Sequence, residues 1–432
     1  MQKITGQIKI SPSIFADVQK TIKSVPDFKK KIEKSLTKKT SELLEFILQG
    51  AISLRCSDIH IEPEETRTKI RARIDGILQD ITLIDKKLYE ALLSRIKLLS
   101  GIKLNISDKP QDGRFSILIT KSEEIEIRTS TLPTENGETI VLRVLNPKNL
   151  IEIEALGLRK DLIEIFKREI KKPNGMIIVT GPTGSGKTTT LYAILKKIQR
   201  PEIKIITIED PIEYHLKGIS QTQVAPKKGY DFASGLKSIV RQDPDVILVG
   251  EIRDLETAQI ALQAALTGHL VLSTLHTNDA VGTIARLINL GAKLPDIGPA
   301  INIIIAQRLL RKVCKKCATA KTISPNQLKK IKQSLKKIPK SVEIPKINKG
   351  LKVPEIKGCK YCNFTGYRGR IGIFEAFLVD DETENFILKK PSIADLKNLA
   401  IKKGMLTMYQ DGLLKVLQGI TTLEELERVV GE

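Results

Sequence analysis

The sequence predicts an α/β protein, a largely parallel sheet wrapped by helices, preceded by a smaller α+β domain. Two observations predict the larger part. Short apolar runs at 176–180, 203–208, 246–249 and 269–275 alternate with helical stretches, which is the pattern of strands buried on both faces by crossover helices. The first run, Met176-Ile-Ile-Val-Thr180, enters a glycine loop and then Thr-Thr-Leu-Tyr-Ala-Ile-Leu, giving strand, loop and helix in order. A third observation predicts the smaller part. Between residues 41 and 148 several alternating or apolar segments, bounded by turn residues, accompany helical spacing near 41–54 and 86–100.

Residues 1–40 carry ten Lys against three acids and read as a basic N-terminal arm. A solvated arm and a binding surface are equally compatible with that composition. Ser41-Glu-Leu-Leu-Glu-Phe-Ile-Leu-Gln opens the first domain behind a capping Ser or Thr. The strands are read in Ser57-Asp-Ile-His-Ile-Glu-Pro, Thr68-Lys-Ile-Arg-Ala-Arg-Ile, Phe115-Ser-Ile-Leu-Ile, Glu124-Ile-Glu-Ile-Arg-Thr and Thr139-Ile-Val-Leu-Arg-Val-Leu. A linker from Asn146 to about Leu158 leads into residues 149–432, the nucleotide domain. At its end, residues 380–432 hold a closing set of helices ended by Gly404 and Gly419.

The loop reads Gly181-Pro182-Thr183-Gly184-Ser185-Gly186-Lys187-Thr188, with Thr189 continuing into the helix. Glycines permit positive φ and let consecutive backbone N–H groups close around phosphate at a helix N-terminus. Lys187 reaches the β- and γ-phosphates, and the Thr188 hydroxyl is the ligand for Mg²⁺. The expected ligands are therefore ATP and Mg²⁺. Acids to hold the metal and polarise water are needed as well. Two strand ends supply them: Glu209, Asp210 and Glu213 in Ile-Glu-Asp-Pro-Ile-Glu, and Glu251 after Gly250, where the general loop pattern places an Asp. Taken by themselves, His269 and His276 are structural residues at the ends of an apolar strand, and Arg128 and Arg143 are strand residues.

Cys314-Lys-Lys-Cys317 and Cys359-Lys-Tyr-Cys362 offer four soft thiolates in two pairs, a closed tetrahedral set suited to structural Zn²⁺. The 41 residues between the pairs exceed the usual ribbon gap. Redox use of one pair is the alternative, without a thioredoxin-like context to favour it. Within the insert 314–362, Ser324 to Ile338 reads as a basic amphipathic helix. Packing on its own domain is its favoured reading, ahead of contact with an anionic membrane surface. Cys56 reads as a small buried residue. The formal charge is +21 over 432 residues, but residues 1–40 and 318–358 contribute +7 and +9 of it. A peripheral, Lys-rich excess disfavours nucleic acid as the partner. No segment approaches 18 consecutive apolar residues, and the first residues lack an apolar signal region, so the expected location is the cytoplasm.

The phosphate loop, Ile208-Glu-Asp-Pro-Ile-Glu-Tyr, Arg241-Gln-Asp-Pro-Asp-Val-Ile-Leu-Val-Gly-Glu-Ile-Arg-Asp and Thr267-Gly-His-Leu-Val-Leu-Ser-Thr-Leu-His-Thr-Asn-Asp-Ala together resemble the type II secretion and type IV pilus assembly ATPases. The resemblance extends over about residues 41–432. It implies a RecA-like ATPase domain and a homo-hexameric motor, peripheral at the inner face of the cytoplasmic membrane, working with platform and docking proteins. It also implies Glu251 as the leading catalytic acid, Glu209 and Glu213 near metal and water, His269 and His276 as γ-phosphate sensors, and Arg128 and Arg143 approaching the nucleotide. The paired cysteines favour assembly over one alternative, retraction, and the peripheral position of the charge argues against the other, DNA uptake. Larger relatives carry an additional N-terminal docking domain, and only about 40 residues precede the first matching helix in this chain, so the basic arm is the expected substitute.

Overall fold

The computed structural model describes residues 6–120, 123–336, 338–348 and 350–431. The chain forms two compact units. The first comprises residues up to 149 with 314–318 and 356–369, and the second comprises 150–313, 319–355 and 370–432.

In chain order the first unit holds β1 (Gly6–Lys9), α1 (Pro12–Thr21), α2 (Val25–Glu33), α3 (Thr40–Ser53), β2 (Asp58–Pro63), β3 (Thr68–Ile74), β4 (Ile77–Ile84), α4 (Lys86–Ser100), β5 (Gln111–Thr120), β6 (Glu123–Thr134) and β7 (Gly137–Leu145). The strands make one sheet in the order β1-β5-β6-β7-β2-β3-β4, antiparallel except for β1 with β5. Burial alternates along β3 as the sequence pattern requires of a sheet packed on one face. The helix α4 is fixed at both ends: the Asp85 carboxylate accepts from the Leu88 N–H at 2.8 Å, and Gly101 takes a left-handed turn at φ +67°. The capping Ser or Thr expected for α3 is not used, since Lys39 occupies the N-cap without a side-chain bond.

Residues 6–40 are not a solvated arm. Ile8 in β1 and Ile10 just after it are buried in the first unit's core together with Phe15, Val18, Ile22, Phe28 and Ile32. The lysines of this segment, four of them on α1 and α2 (Lys20, Lys29, Lys30 and Lys31) and the rest between elements or in β1, are exposed or half-buried.

The second unit continues with α5 (Lys160–Glu169), β8 (Gly175–Thr180), α6 (Lys187–Ile198), β9 (Ile205–Glu209), β10 (Ser220–Gln223), α7 (Phe232–Val240), β11 (Val246–Val249), α8 (Leu255–Leu266), β12 (Leu270–Leu275), α9 (Gly282–Leu290), α10 (Leu294–Ala300) and β13 (Ile301–Val313). After β13 come β14 (Thr319–Thr322), α11 (Pro325–Leu335), β15 (Lys352–Glu355), β16 (Tyr367–Leu378), α12 (Asp381–Leu388), α13 (Ile393–Lys402), α14 (Met408–Leu417) and α15 (Leu423–Val430). Its main sheet runs β10-β9-β11-β12-β8-β13-β16. The strands β8, β9, β11 and β12 are parallel and buried at every residue. Alternate residues of β8 feed two apolar layers, Met176 and Ile178 on one face and Ile177 and Val179 on the other. The basic helix α11 begins with a Ser324–Gln327 capping box and buries Ile331 and Leu335 in the second unit's core, so its apolar stripe is packed.

The C-terminal helix α15 is tied to β13 through a buried carboxylate. Glu425 accepts from the Arg311 N–H at 3.0 Å, Arg311 Nη2 at 2.6 Å, and Arg428 Nε and Nη2 at 2.8 Å each. Burial alone would raise its pKa, but the hydrogen bonds from Arg428 and Arg311 hold it down to about 2. A depressed carboxylate contributes stability that is present above its ordinary pKa of 4.5 and is lost as pH falls toward about 2. Acid unfolding followed by circular dichroism should therefore show a limb in that window. Glu425→Gln should flatten it and cost roughly 3 kcal/mol at neutral pH.

Candidate functional site

The site grows from the carboxyl ends of four adjacent parallel strands. β8 delivers the glycine loop, and two of its glycines are required by geometry. Gly181, at φ +144°, would place a Cβ 2.5 Å from the Gln307 carbonyl and 2.7 Å from Ser185 Oγ, and Gly186 stands at φ +91° as the N-cap of α6. With no side chain capping α6, the N–H groups of Lys187, Thr188 and Thr189 are those a helix N-terminus offers to phosphate. The Ser185 hydroxyl is buried inside the loop with no hydrogen-bond partner among the described residues, a donor that an anion there would satisfy. Lys187 Nζ donates to the carbonyls of Gly181 at 2.8 Å and Pro182 at 3.2 Å, which hold the ammonium over the loop. Burial lowers its pKa, and the charge of Glu251 opposes that shift. From below, Thr190 Oγ1 donates to buried Gln307 Oε1 at 2.7 Å, fastening α6 to β13.

β12, the neighbour of β8, brings His276. Thr180 at the end of β8 donates its hydroxyl to the Leu275 carbonyl at 2.9 Å and accepts from the Thr277 N–H at 2.9 Å, so the two strand ends are stitched together. Glu375 on β16, its pKa raised by burial, accepts from the Ala280 N–H at 2.9 Å and holds the other end of the same loop. β11 comes next. Thr274 Oγ1 donates to the Gly250 carbonyl at 2.7 Å and the Ile252 N–H to the Thr274 carbonyl at 3.0 Å, placing Glu251 beside β12. Glu251 meets His276 Nε2 at 3.4 Å and pairs with Arg253, which also lies 4.0 Å from Asp210. One acid, one imidazole and one guanidinium thus converge near the loop lysine.

β9, three strand spacings or about 14 Å from β8, ends at Glu209. Its carboxylate is 4% exposed, accepts from Thr207 and Gln221 and pairs with Tyr192. Asp210 and Glu213 follow in the loop and are more open. The two histidines are not brought together within the chain. His269 precedes β12 and sits beside Gly175 at the start of β8, with Nδ1 3.1 Å from the Ala264 carbonyl. Six residues of strand separate the two, roughly 20 Å, so His269 lies at the edge opposite the loop. Arg128 and Arg143 belong to the first unit, where they face each other across β6 and β7 and pair with Glu126 at 3.4 Å and Asp58 at 3.0 Å.

The four predicted cysteines do converge. Cys314, Cys317, Cys359 and Cys362 place their sulfurs all within 4.8 Å of one another, with pairs at 3.7, 3.8 and 3.9 Å. A tetrahedral ion at about 2.3 Å from each sulfur would set them roughly 3.8 Å apart, while a disulfide needs about 2.05 Å. The second pair is a tight knuckle: the Phe364 N–H donates to the Cys359 carbonyl at 2.9 Å, and Asn363 and Phe364 are left-handed at φ +53° and +60°. The knuckle holds α2. Asn363 Oδ1 accepts from the Val25 N–H at 2.7 Å, and Lys360 Nζ meets Asp27 at 2.9 Å. Cys56 is buried, its thiol pushed well above the ordinary range by desolvation.

Tyr192, Gln307, Thr180, Thr277 and Glu375 form the supporting shell; Thr180, Thr277 and Glu375 lie within motif stretches, but the sequence alone gives none of the five a role. The signal available was a polar residue inside an otherwise apolar strand or helix, as at Gln307 in Ile301-Asn-Ile-Ile-Ile-Ala-Gln.

The family described as Type II/IV secretion system protein matches residues 33–428. The type II secretion system protein E of Xanthomonas campestris is 44% identical over 390 residues, 90% of this chain and 66% of that protein. The type IV pilus assembly ATPase PilB of Thermus thermophilus is 44% identical over 383 residues, 88% of this chain and 42% of that protein. The chain thus spans about two thirds or less of these two relatives. Among solved structures, the pilus retraction motor PilT with bound ADP superposes with a TM-score of 0.59 at 28% identity, covering 88% of this chain and 95% of that one. The ATPase DotB of Legionella pneumophila shares the fold, with a TM-score of 0.66 at 24% identity over 91% of this chain and 96% of that one.

The sulfur geometry predicts one bound metal ion per chain and four thiols that react slowly with an aromatic disulfide reagent. Removing the ion with a strong chelator should expose four fast-reacting thiols. Equal fast reaction of all four before and after chelation would mean that the cluster holds no ion.

Proposed function

The chain belongs to the Type II/IV secretion system protein family, and from that premise we propose that it is an ATP-driven motor for assembly of type IV pili or a type II secretion pseudopilus. It works as a ring of six copies at the cytoplasmic face of the membrane, with platform and docking proteins as partners. The observation that supports this most directly is the convergence of Glu251, His276 and Arg253 beside the loop that carries Lys187. Relatives at 44% identity named for secretion and pilus assembly favour assembly over retraction, whose named motor is 28% identical.

In this reading the loop N–H groups and Lys187 bind the β- and γ-phosphates. Thr188 would hold Mg²⁺, Asp210 and Glu213 are the acids proposed to serve it, and the ion would supply charge neutralisation at the transferring phosphoryl group. Glu251, oriented by Arg253 and His276, takes a proton from the attacking water. His276 is placed to report the γ-phosphate to the loop that Thr180 and Glu375 fix. Arg128 and Arg143 are proposed to add positive charge to a nucleotide held by the ring, and His269 to act at the opposite strand edge. The cysteine cluster is proposed to hold Zn²⁺ as a structural ion.

Lys187→Ala should weaken binding of a fluorescent ATP analogue at least about tenfold. Glu251→Gln should bind within a few-fold of the parent and lose about 100-fold or more in turnover. Hydrolysis by Glu251→Gln near the parent rate would rule out Glu251 as the group that takes the proton.

A further inference from the structure

Three acids lie at and just after the end of β9, and they are not equivalent. Glu209 is spent inside the protein. Its Oε1 accepts from Thr207 Oγ1 at 2.6 Å and from Gln221 Nε2 at 3.1 Å, and its Oε2 accepts from the Tyr192 hydroxyl. Burial raises its pKa, partly offset by the hydrogen bonds from Thr207, Tyr192 and Gln221. To coordinate a cation or a water nucleophile directly, this carboxylate would have to leave donors that a 4% exposed group cannot replace with solvent.

The donor on α6 is the informative one. Tyr192 lies five residues after Lys187 on the helix that the loop caps, and it is 1% exposed. Its hydroxyl also accepts from the Tyr214 N–H at 3.5 Å, and the two rings meet edge to face at 6.1 Å and 71°. On the far side of the same loop, Gln221 donates to the Tyr214 carbonyl at 3.0 Å and accepts from the Leu216 N–H at 2.7 Å. Residues 210–216 are therefore pinned between the phosphate-loop helix and β10. Asp210 and Glu213 ride on this pinned segment.

Resting on the ATPase reading, we propose that Tyr192 and Glu209 are positioning residues: a strut from α6 to the end of β9 that sets Asp210 and Glu213 against the phosphate loop. Glu209 takes neither metal nor water. The strut joins the part of the site that grips phosphate to the part that organises the metal's waters, with the Tyr192 hydroxyl at the joint.

Tyr192→Phe keeps the ring contact and removes that hydroxyl. It should leave nucleotide affinity in the absence of Mg²⁺ within about twofold, lower kcat about tenfold and raise the half-saturating Mg²⁺ concentration several-fold, as lost orienting groups do. Glu209→Gln, which keeps the shape and part of the hydrogen bonding, should resemble Tyr192→Phe and retain far more turnover than Glu251→Gln. A Glu209→Gln protein as inactive as Glu251→Gln would overturn the proposal, as would a Tyr192→Phe protein with a lowered melting temperature and an unchanged Mg²⁺ dependence. If the parent chain hydrolyses no ATP, the ATPase reading fails, and the strut is then judged by hydrogen exchange. Faster exchange at the Tyr214 amide in Tyr192→Phe, with global melting unchanged, supports the strut, and unaltered exchange there ends it.

Discussion

A parallel strand buried on both faces offers no chemistry along its length, so whatever it contributes must emerge at its end. β8 is such a strand, and the site depends on what happens at Thr180, where it stops. That hydroxyl is buried and bonded to β12 on one side while the glycine loop departs on the other. Because β8, β12, β11 and β9 are neighbours running the same way, their ends present loop, imidazole, leading acid and acidic segment side by side without any long excursion of the chain. The position of each functional group is then a matter of strand order more than of loop conformation. This is why the polar residues that lock strand ends, Thr180, Thr274 and Glu375, matter as much as the groups they carry.

How much of this was legible in the sequence follows from what each signal measures. The parallel strands were legible because burial on both faces leaves an uninterrupted apolar run, and the glycine loop because only glycine tolerates φ near +144° beside a carbonyl 2.5 Å away. The first 40 residues misled because composition averages over faces: ten lysines conceal Phe15, Val18, Ile22, Phe28 and Ile32 at helical spacing. His269 and His276 stand at opposite ends of one strand, and His276 is at the end that meets the glycine loop. Tyr192 could not be read at all, since a tyrosine in an amphipathic helix is ordinarily core, and its partner lies on another element.

The cysteine pairs make a related point about chain order. They lie within the sequence of the second unit but group with the first, while the stretch between them, with α11, packs in the second. Their knuckle contacts α2 through Asn363 and Lys360. An ion bound by the four sulfurs would thus fix more than its own loop. It would add a tie to the short helix α2, which Phe28 and Ile32 already anchor in the first unit's core.

The displacement of the leading acid by one residue has a steric cause. At Gly250, where the general loop pattern places an Asp, a Cβ would lie 3.3 Å from both the Glu209 Cα and the Ile208 carbonyl. That is tighter than side chains ordinarily tolerate, and the crowding atoms are backbone, which cannot swing aside. An acid at 250 would push β11 away from β9 and disturb Glu209, the residue that Tyr192 holds. With glycine at 250 the two strands close, and the acid at 251 leaves the sheet on the side of β12, where Arg253 and His276 meet it. Gly250, Glu251 and the Glu209–Tyr192 strut are consequently one solution, and changing any one of them alone should expose the fit of the other two.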